Sequence, residues 1–145
     1  SKSLAEAVLA FAKRYGAELE TIFQPPHFTH GDCHASQFFL QNTQYGWDVT
    51  GVLDMEVSSA GDSGFDLVKF GLEMSALFPV ETRWWIPLFE GYGIEPSFAL
   101  HKLRMLGASH FSYTYTWPGT RDQIVEHVVR AENWEQLFDI GDLRT

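Results

Sequence analysis

Cysteine is nearly missing from this chain: Cys33 is the only one in 145 residues. An internal disulfide is excluded, which fits a reducing, cytoplasmic setting. Positive charge is thin as well. Ten Lys and Arg stand against nineteen Asp and Glu, a net charge of −9. Nucleic acid and anionic membranes draw basic faces, so neither is an expected partner. A cationic partner is compatible with the balance, although acidity alone does not call for one. No apolar run reaches the roughly 20 residues of a bilayer-spanning helix, and the opening residues carry no signal-peptide pattern. A Gly-rich phosphate loop, internal repeats, low-complexity tracts and an obvious domain linker are all lacking. Ser1-Lys2-Ser3 does not read as a natural start, so the chain is expected to be a piece of a longer protein or a processed form.

What is present is core-forming. Hydrophobic residues make up 45% and aromatics 15%, which argues against disorder. The length suits one domain, 1–145. Ser3 and Glu6 have the spacing of a capping box, and Leu4, Val8, Phe11, Ala12 and Tyr15 repeat on one helical face, so a helix is expected from 3 to about 20. Pro25-Pro26 then forces extended chain. Phe38-Phe39-Leu40 and Trp47 to Leu53 read as two strands of a hairpin joined by a polar turn over 41–46. Gly61-Asp62-Ser63-Gly64 reads as a turn into a helix over 65–77, with Asp62 or Ser63 as N-cap and Leu67, Phe70, Gly71, Met74 and Leu77 inward. Pro79 separates it from a helix over 81–92. A third runs from Ser97 to about 116, and two more close the chain over 120–130 and 132–138. The expected fold class is α+β, mainly α, with helices around a short hairpin.

The stretch His30-Gly31-Asp32-Cys33-His34-Ala35-Ser36-Gln37 is a polar loop feeding the first strand, and Asp54 ends the second. A loop at a strand end lets a rigid frame aim side chains. An Asp, an amide five residues later and a second Asp on the next strand is the spacing of a phosphoryl-transfer site. Asp32 would orient an attacking hydroxyl and take its proton; the plain alternative is a loop Asp capping a backbone N–H. Asp54 and Gln37 would hold a hard divalent cation, with Glu56 either touching a second ion or pointing into solvent. Asp66, one turn into the helix, would accept backbone N–H groups of the loop, or only favour the helix dipole. His30 is read as a buttress of the loop rather than a base. His30 and His34 with Asp32 resemble a transition-metal set, but a loop lacks helical i,i+4 geometry and no further ligands lie at suitable spacing, which argues against zinc. Nothing beside Cys33 would activate it as a nucleophile. Trp84-Trp85 and the aromatics at 111–117 are read as core rather than as a cation pocket.

Three blocks then carry a resemblance: His30-Gly31-Asp32-x-His34-x-x-Gln37, Gly51-Val52-Leu53-Asp54-x-Glu56, and Gly61-Asp62-x-x-Phe65-Asp66-Leu67. Together they resemble the aminoglycoside phosphotransferase and choline kinase family over residues 28–67. The resemblance implies the C-terminal lobe of a protein-kinase-like fold. It makes Asp32 the catalytic Asp, Asp54 and Gln37 the magnesium residues, and Asp66 and His30 supports of the loop, with Mg2+ and ATP or GTP as cofactors. Gln37 stands where the family has Asn, Ser63 where it has Pro, and Met55 where Trp is common. The family's nucleotide lobe, with its strand Lys, has no counterpart before residue 28, so its nucleotide-binding residues are unknown here. The expected activity is transfer of a γ-phosphoryl group to the hydroxyl of a small molecule: an aminoglycoside, choline-like amine, amino sugar, neutral sugar or homoserine. The 145 residues alone are expected to be inactive, and the surface left by a missing lobe to support a homodimer. The alternatives are a non-catalytic kinase-like binding module, with Gln37 a mark of lost metal affinity, and a metal-dependent hydrolase.

Overall fold

The computed structural model of the protein describes residues 2–22, 25–75, 77–93, 100–113 and 121–140. Within them the chain is α+β and mostly helical. Helix α1 (Lys2–Ile22) leads into strand β1 (His27–Thr29), then β2 (Phe38–Thr43), β3 (Gly46–Val52) and β4 (Ser59–Gly61). Helices α2 (Gly64–Met74), α3 (Trp85–Tyr92), α4 (Leu100–Tyr113), α5 (Arg121–Arg130) and α6 (Trp134–Phe138) follow. Among the described residues no helix is long and apolar enough to cross a membrane.

The core lies among the helices. Val68, Leu72, Phe89, Val128 and Leu137 are completely buried, and α4 packs between α2 and α5. Gly107 of α4 lets Val68 and Val128 approach from either side; a Cβ there would stand 3.0 and 3.3 Å from their methyls. Helix α2 is enclosed on nearly every side. Leu67, Val68 and Leu72 face the core, Phe70 meets Phe38 of the hairpin edge-on at 5.9 Å, and Asp66 and Lys69 reach the polar loop. It ends at Met74, so the expected extension to Leu77 is wrong: Leu77 is 63% exposed. The five-residue inward set missed Val68 and Leu72, because a helix buried on several faces does not display a single apolar stripe.

Other departures have similar causes. Ser3 lies inside α1, and its hydroxyl donates to Glu126 of α5 rather than capping a helix end. The buried stripe of α1 runs through Leu4, Ala7, Phe11 and Tyr15, while Val8 and Ala12 face outward. The expected helix over 81–92 is a single turn at Val80–Thr82 and then α3, separated by Arg83 at φ 50°. Helix α6 starts at Trp134, not Glu132. Asn133 accepts from the Gln136 N–H at 2.8 Å while the Gln136 side chain accepts from the Glu132 N–H at 2.7 Å, a reciprocal cap. Ser97 and the stretch 114–117 lie outside the described residues, as do the expected beginning and end of the third helix.

The hairpin is longer and its turn tighter than the sequence suggests. Strands β2 and β3 pair antiparallel from Phe38↔Val52 to Thr43↔Gly46, leaving Gln44 and Tyr45 as the turn. A register shift after Phe39 sets Gly51 opposite Phe39 and Val49 opposite Leu40. A second small sheet, β1 with β4, had no sequence signal. It pairs Thr29 with Ser59, and the Thr29 hydroxyl donates to the Ser59 carbonyl at 3.0 Å. Three-residue strands carry no periodicity to read. This pair closes the polar loop into the space between the hairpin and α2.

Candidate functional site

The loop between β1 and β2 is held from below by Asp66. Its carboxylate accepts the His30 N–H at 2.7 Å and the Gly31 N–H at 2.9 Å. Charge-assisted bonds of this kind are the stronger class. The two N–H groups fix the chain one residue before Asp32. Gly31 takes φ 82°, and a Cβ on it would stand 2.7 Å from the Val57 carbonyl oxygen, so only glycine fits. The buried His30 ring spans to the hairpin. Its Nε2 lies 2.7 Å from the Leu53 carbonyl, and its Nδ1 lies 3.3 Å from the Asp32 N–H. Nδ1 is thus the acceptor and Nε2 carries the proton, a tautomer set by its two partners.

The end of β3 is tied to the same loop. The Leu53 N–H donates to the Gln37 carbonyl at 2.9 Å, prolonging the ladder by one bond. Asp54 then turns into the left-handed region, φ 59° and ψ 51°, which Asp tolerates better than most residues. That turn brings its carboxylate back to Gln37: the amide nitrogen donates to Asp54 Oδ2 at 3.0 Å. The same nitrogen is 2.9 Å from His34 Nε2, while the Ser36 hydroxyl meets His34 Nδ1 at 2.8 Å. His34 Nε2 lies 3.7 Å from Asp32 Oδ2. Asp32, His34, Gln37 and Asp54 therefore form one continuous polar chain. Glu56, exposed in the single turn after Asp54, is not part of it among the described contacts.

Lys69 was not anticipated. It sits one turn after Asp66 on α2, its side chain is only 7% exposed, and it forms an ion pair with Asp32 Oδ1. Glu73 is 3.9 Å away on the next turn. Burial lowers the Lys69 pKa from its ordinary value, and Glu73 pulls it back up. Asp32 is 42% exposed, so the ion pair has a buried cation and a wetter anion. The signal for Lys69 was available only as an i,i+3 relation to Asp66 on the same helix. Asp62 has a similar partner: its Oδ2 pairs with the buried Lys102 of α4 at 2.6 Å, while Oδ1 accepts the Gly64 N–H at 2.9 Å. Asp62 thus caps the start of α2 from its side chain, and Ser63 does not. Cys33 is pushed up to about 12, first by burial and then by Asp66 and Glu73, which leaves the thiol protonated and inert.

The metal expectation can be tested against this donor set. Among the described residues no three His, Cys, Asp or Glu side chains gather as a metal group. The two expected ligands do meet. Gln37 and Asp54 present polar atoms 3.0 Å apart, close to the ~2.9 Å between adjacent oxygens on an octahedral ion with 2.0–2.1 Å bonds. The amide presents its nitrogen rather than its oxygen to Asp54. Rotating the amide by half a turn would place the oxygen there, with His34 Nε2 then the donor to it. Two protein oxygens completed by water suit magnesium, which keeps much of its hydration. No family profile, curated protein or solved structure matches the chain.

Proposed function

We propose that the chain is the catalytic lobe of a small-molecule kinase of the aminoglycoside phosphotransferase and choline kinase type, with a protein-kinase-like fold. It would transfer the γ-phosphoryl of ATP or GTP to a substrate hydroxyl in the cytoplasm. The observation that carries the reading is the Asp66 carboxylate under the His30 and Gly31 N–H groups. It sets Asp32 at the head of the polar chain that ends on Asp54. In phosphoryl transfer the protein mainly positions groups and balances charge. Asp32 would accept the proton of the attacking hydroxyl and fix its direction. Asp54 and the Gln37 amide oxygen would hold magnesium, which neutralises charge on the phosphates. Glu56 is free to approach the same phosphates from the exposed turn. The reading calls for a nucleotide lobe in addition to these residues; these residues alone are proposed to be inactive. The apolar face of the hairpin is proposed to mediate homodimers when it is not covered.

A second reading has its own support. Gln37 turns its nitrogen to Asp54, and Lys69 occupies Asp32, so both ends of the chain are satisfied without metal or substrate. That arrangement suits a non-catalytic kinase-like module. Full-length protein assayed with Mg-ATP against a panel of aminoglycosides, choline-like amines and sugars separates the two. The enzyme reading expects transfer that Asp32→Asn lowers by about 10²–10⁴-fold. Binding of Mg-ATP with no transfer, together with transfer gained in Gln37→Asn, would establish the degenerate module instead.

A further inference from the structure

We infer that Lys69 is a positioning residue for Asp32: by holding one carboxylate oxygen, Oδ1, it leaves the other, Oδ2, directed at the acceptor hydroxyl. The inference rests on the kinase reading of Asp32 and adds to it a residue on a different element.

One helix sets both parts of the loop. Asp66 of α2 takes the His30 and Gly31 N–H groups, and Lys69, one turn later on the same helix, takes the Asp32 side chain. Anchoring the backbone does not by itself aim a carboxylate, which still turns about its own side-chain torsions. Asp32 is half-exposed, so water alone would accept it in several directions. The ion pair from Lys69 Nζ to Oδ1 removes that freedom. Lys69 is itself buried in the packing of α2, so it is the fixed partner of the two. Among the described residues Oδ2 accepts no hydrogen bond. It lies 3.7 Å from His34 Nε2, on the side of the polar chain that leads through Gln37 to Asp54. A hydroxyl meeting phosphates held at Asp54 would approach from there. One free oxygen is enough for that task, so the occupied Oδ1 is compatible with catalysis.

Burial also keeps substrate away from Lys69, which therefore acts through Asp32 and not on the phosphates. A buried ammonium needs a counter-charge. Asp32 supplies it before transfer. As the hydroxyl oxygen bonds to the γ-phosphorus, the bond from that phosphorus to the bridging oxygen breaks and its electron pair leaves with the nucleoside diphosphate. The hydroxyl proton passes to Asp32 Oδ2, which neutralises Asp32. Glu73, on the next turn of α2 and 3.9 Å from Nζ, remains as a second carboxylate beside the ammonium. Burial pushes the Lys69 pKa down and Glu73 pulls it back up, so Glu73 steadies the charge through the step.

The test compares full-length wild type, Lys69→Met, Lys69→Arg and Asp32→Asn with Mg-ATP and the acceptor that the wild type phosphorylates best, with folding checked by circular dichroism. A misaimed base costs turnover rather than binding. In Lys69→Met, kcat is expected to fall by about 10–100-fold, while the KM for the acceptor stays within about twofold. Lys69→Arg, which keeps the cation, is expected to recover a substantial part of the lost kcat. Undiminished kcat in a folded Lys69→Met, with Asp32→Asn still impaired, would overturn the role of Lys69 and leave the kinase reading standing. Equal losses in Lys69→Met and Lys69→Arg with a raised KM would show a merely structural residue and overturn it too. Absence of transfer by the wild type with every acceptor would remove the kinase reading and this role together.

Discussion

Asp66 serves two backbone N–H groups at once, and no other described group replaces it there. Asp66→Ala strands both donors beneath the loop. A cost of about 3 kcal/mol is expected from losing two charge-assisted bonds of ~1.5–3 kcal/mol each, with partial relief by water. Asp66→Asn keeps one acceptor and should fall between; urea denaturation measures both. Lys69 makes a different kind of prediction. Its folded pKa lies below its ordinary value of 10.5. Between those two values the unfolded chain binds a proton that the folded chain does not, so stability rises with pH across that window. Lys69→Met removes the ionisation, and the rise should vanish in denaturation curves taken from pH 7 to 11. Because Asp32 remains partly hydrated, the variant should fold with little loss at pH 7. An unchanged pH slope would show that Lys69 is not the group responsible.

At the scale of elements, α2 joins the helical core to the polar loop. Its closeness to α6 depends on Gly71, where a Cβ would lie 2.6 Å from Phe138 Cε1 and 3.0 Å from Cζ. An aromatic ring packed against Trp85 and Trp134 cannot step aside easily. Gly71→Ala gains about 1 kcal/mol of helix propensity, but overpacking costs of 1–3 kcal/mol are typical. A net loss of about 1–2 kcal/mol is expected by chemical denaturation. Adding Phe138→Leu should recover part of it, whereas a stabilised single variant would contradict the close approach. The hairpin illustrates the opposite case. Its turn and register follow from local pairing, yet neither face of β3 is buried by the described residues.

At the scale of the whole molecule, the apolar surface is unevenly placed. The register of β2 and β3 puts Leu40, Val49 and Trp47 on one face, and Trp47 is 69% exposed. Phe28 of β1 and Met55 and Val57 of the single turn after Asp54 are exposed apolar residues as well. A patch of this kind on a chain of this size favours association. Sedimentation at rising protein concentration is expected to show mass increasing toward a dimer, and Trp47→Arg should suppress it. A mass that stays monomeric throughout would remove the homodimer proposal. The acidic surface bounds the effect, since a net charge of −9 opposes association and more strongly at low salt.

Local order was written in the residues themselves. The α+β, mainly helical class, the hairpin, the helix start after Asp62 and the placement of Asp66 in its first turn all follow from short-range rules of period, turn chemistry and capping, whereas Gly61, expected in a turn, closes β4 instead. The spacing from Asp32 to Gln37 and Asp54 was legible for the same reason, since one loop and one hairpin link them. Tertiary packing alone decided the rest. Lys69 meets Asp32 across 37 residues, and Arg104 finds the end of α5 across 24. Pairs so far apart leave no period in the sequence; they exist because α2 and α4 are buried on several sides, and a long cation on such a helix must reach whatever polar atoms the packing leaves within its length. The left-handed turn at Asp54 and the amide direction of Gln37 were settled there too, by which donors and acceptors the folded loop brings face to face.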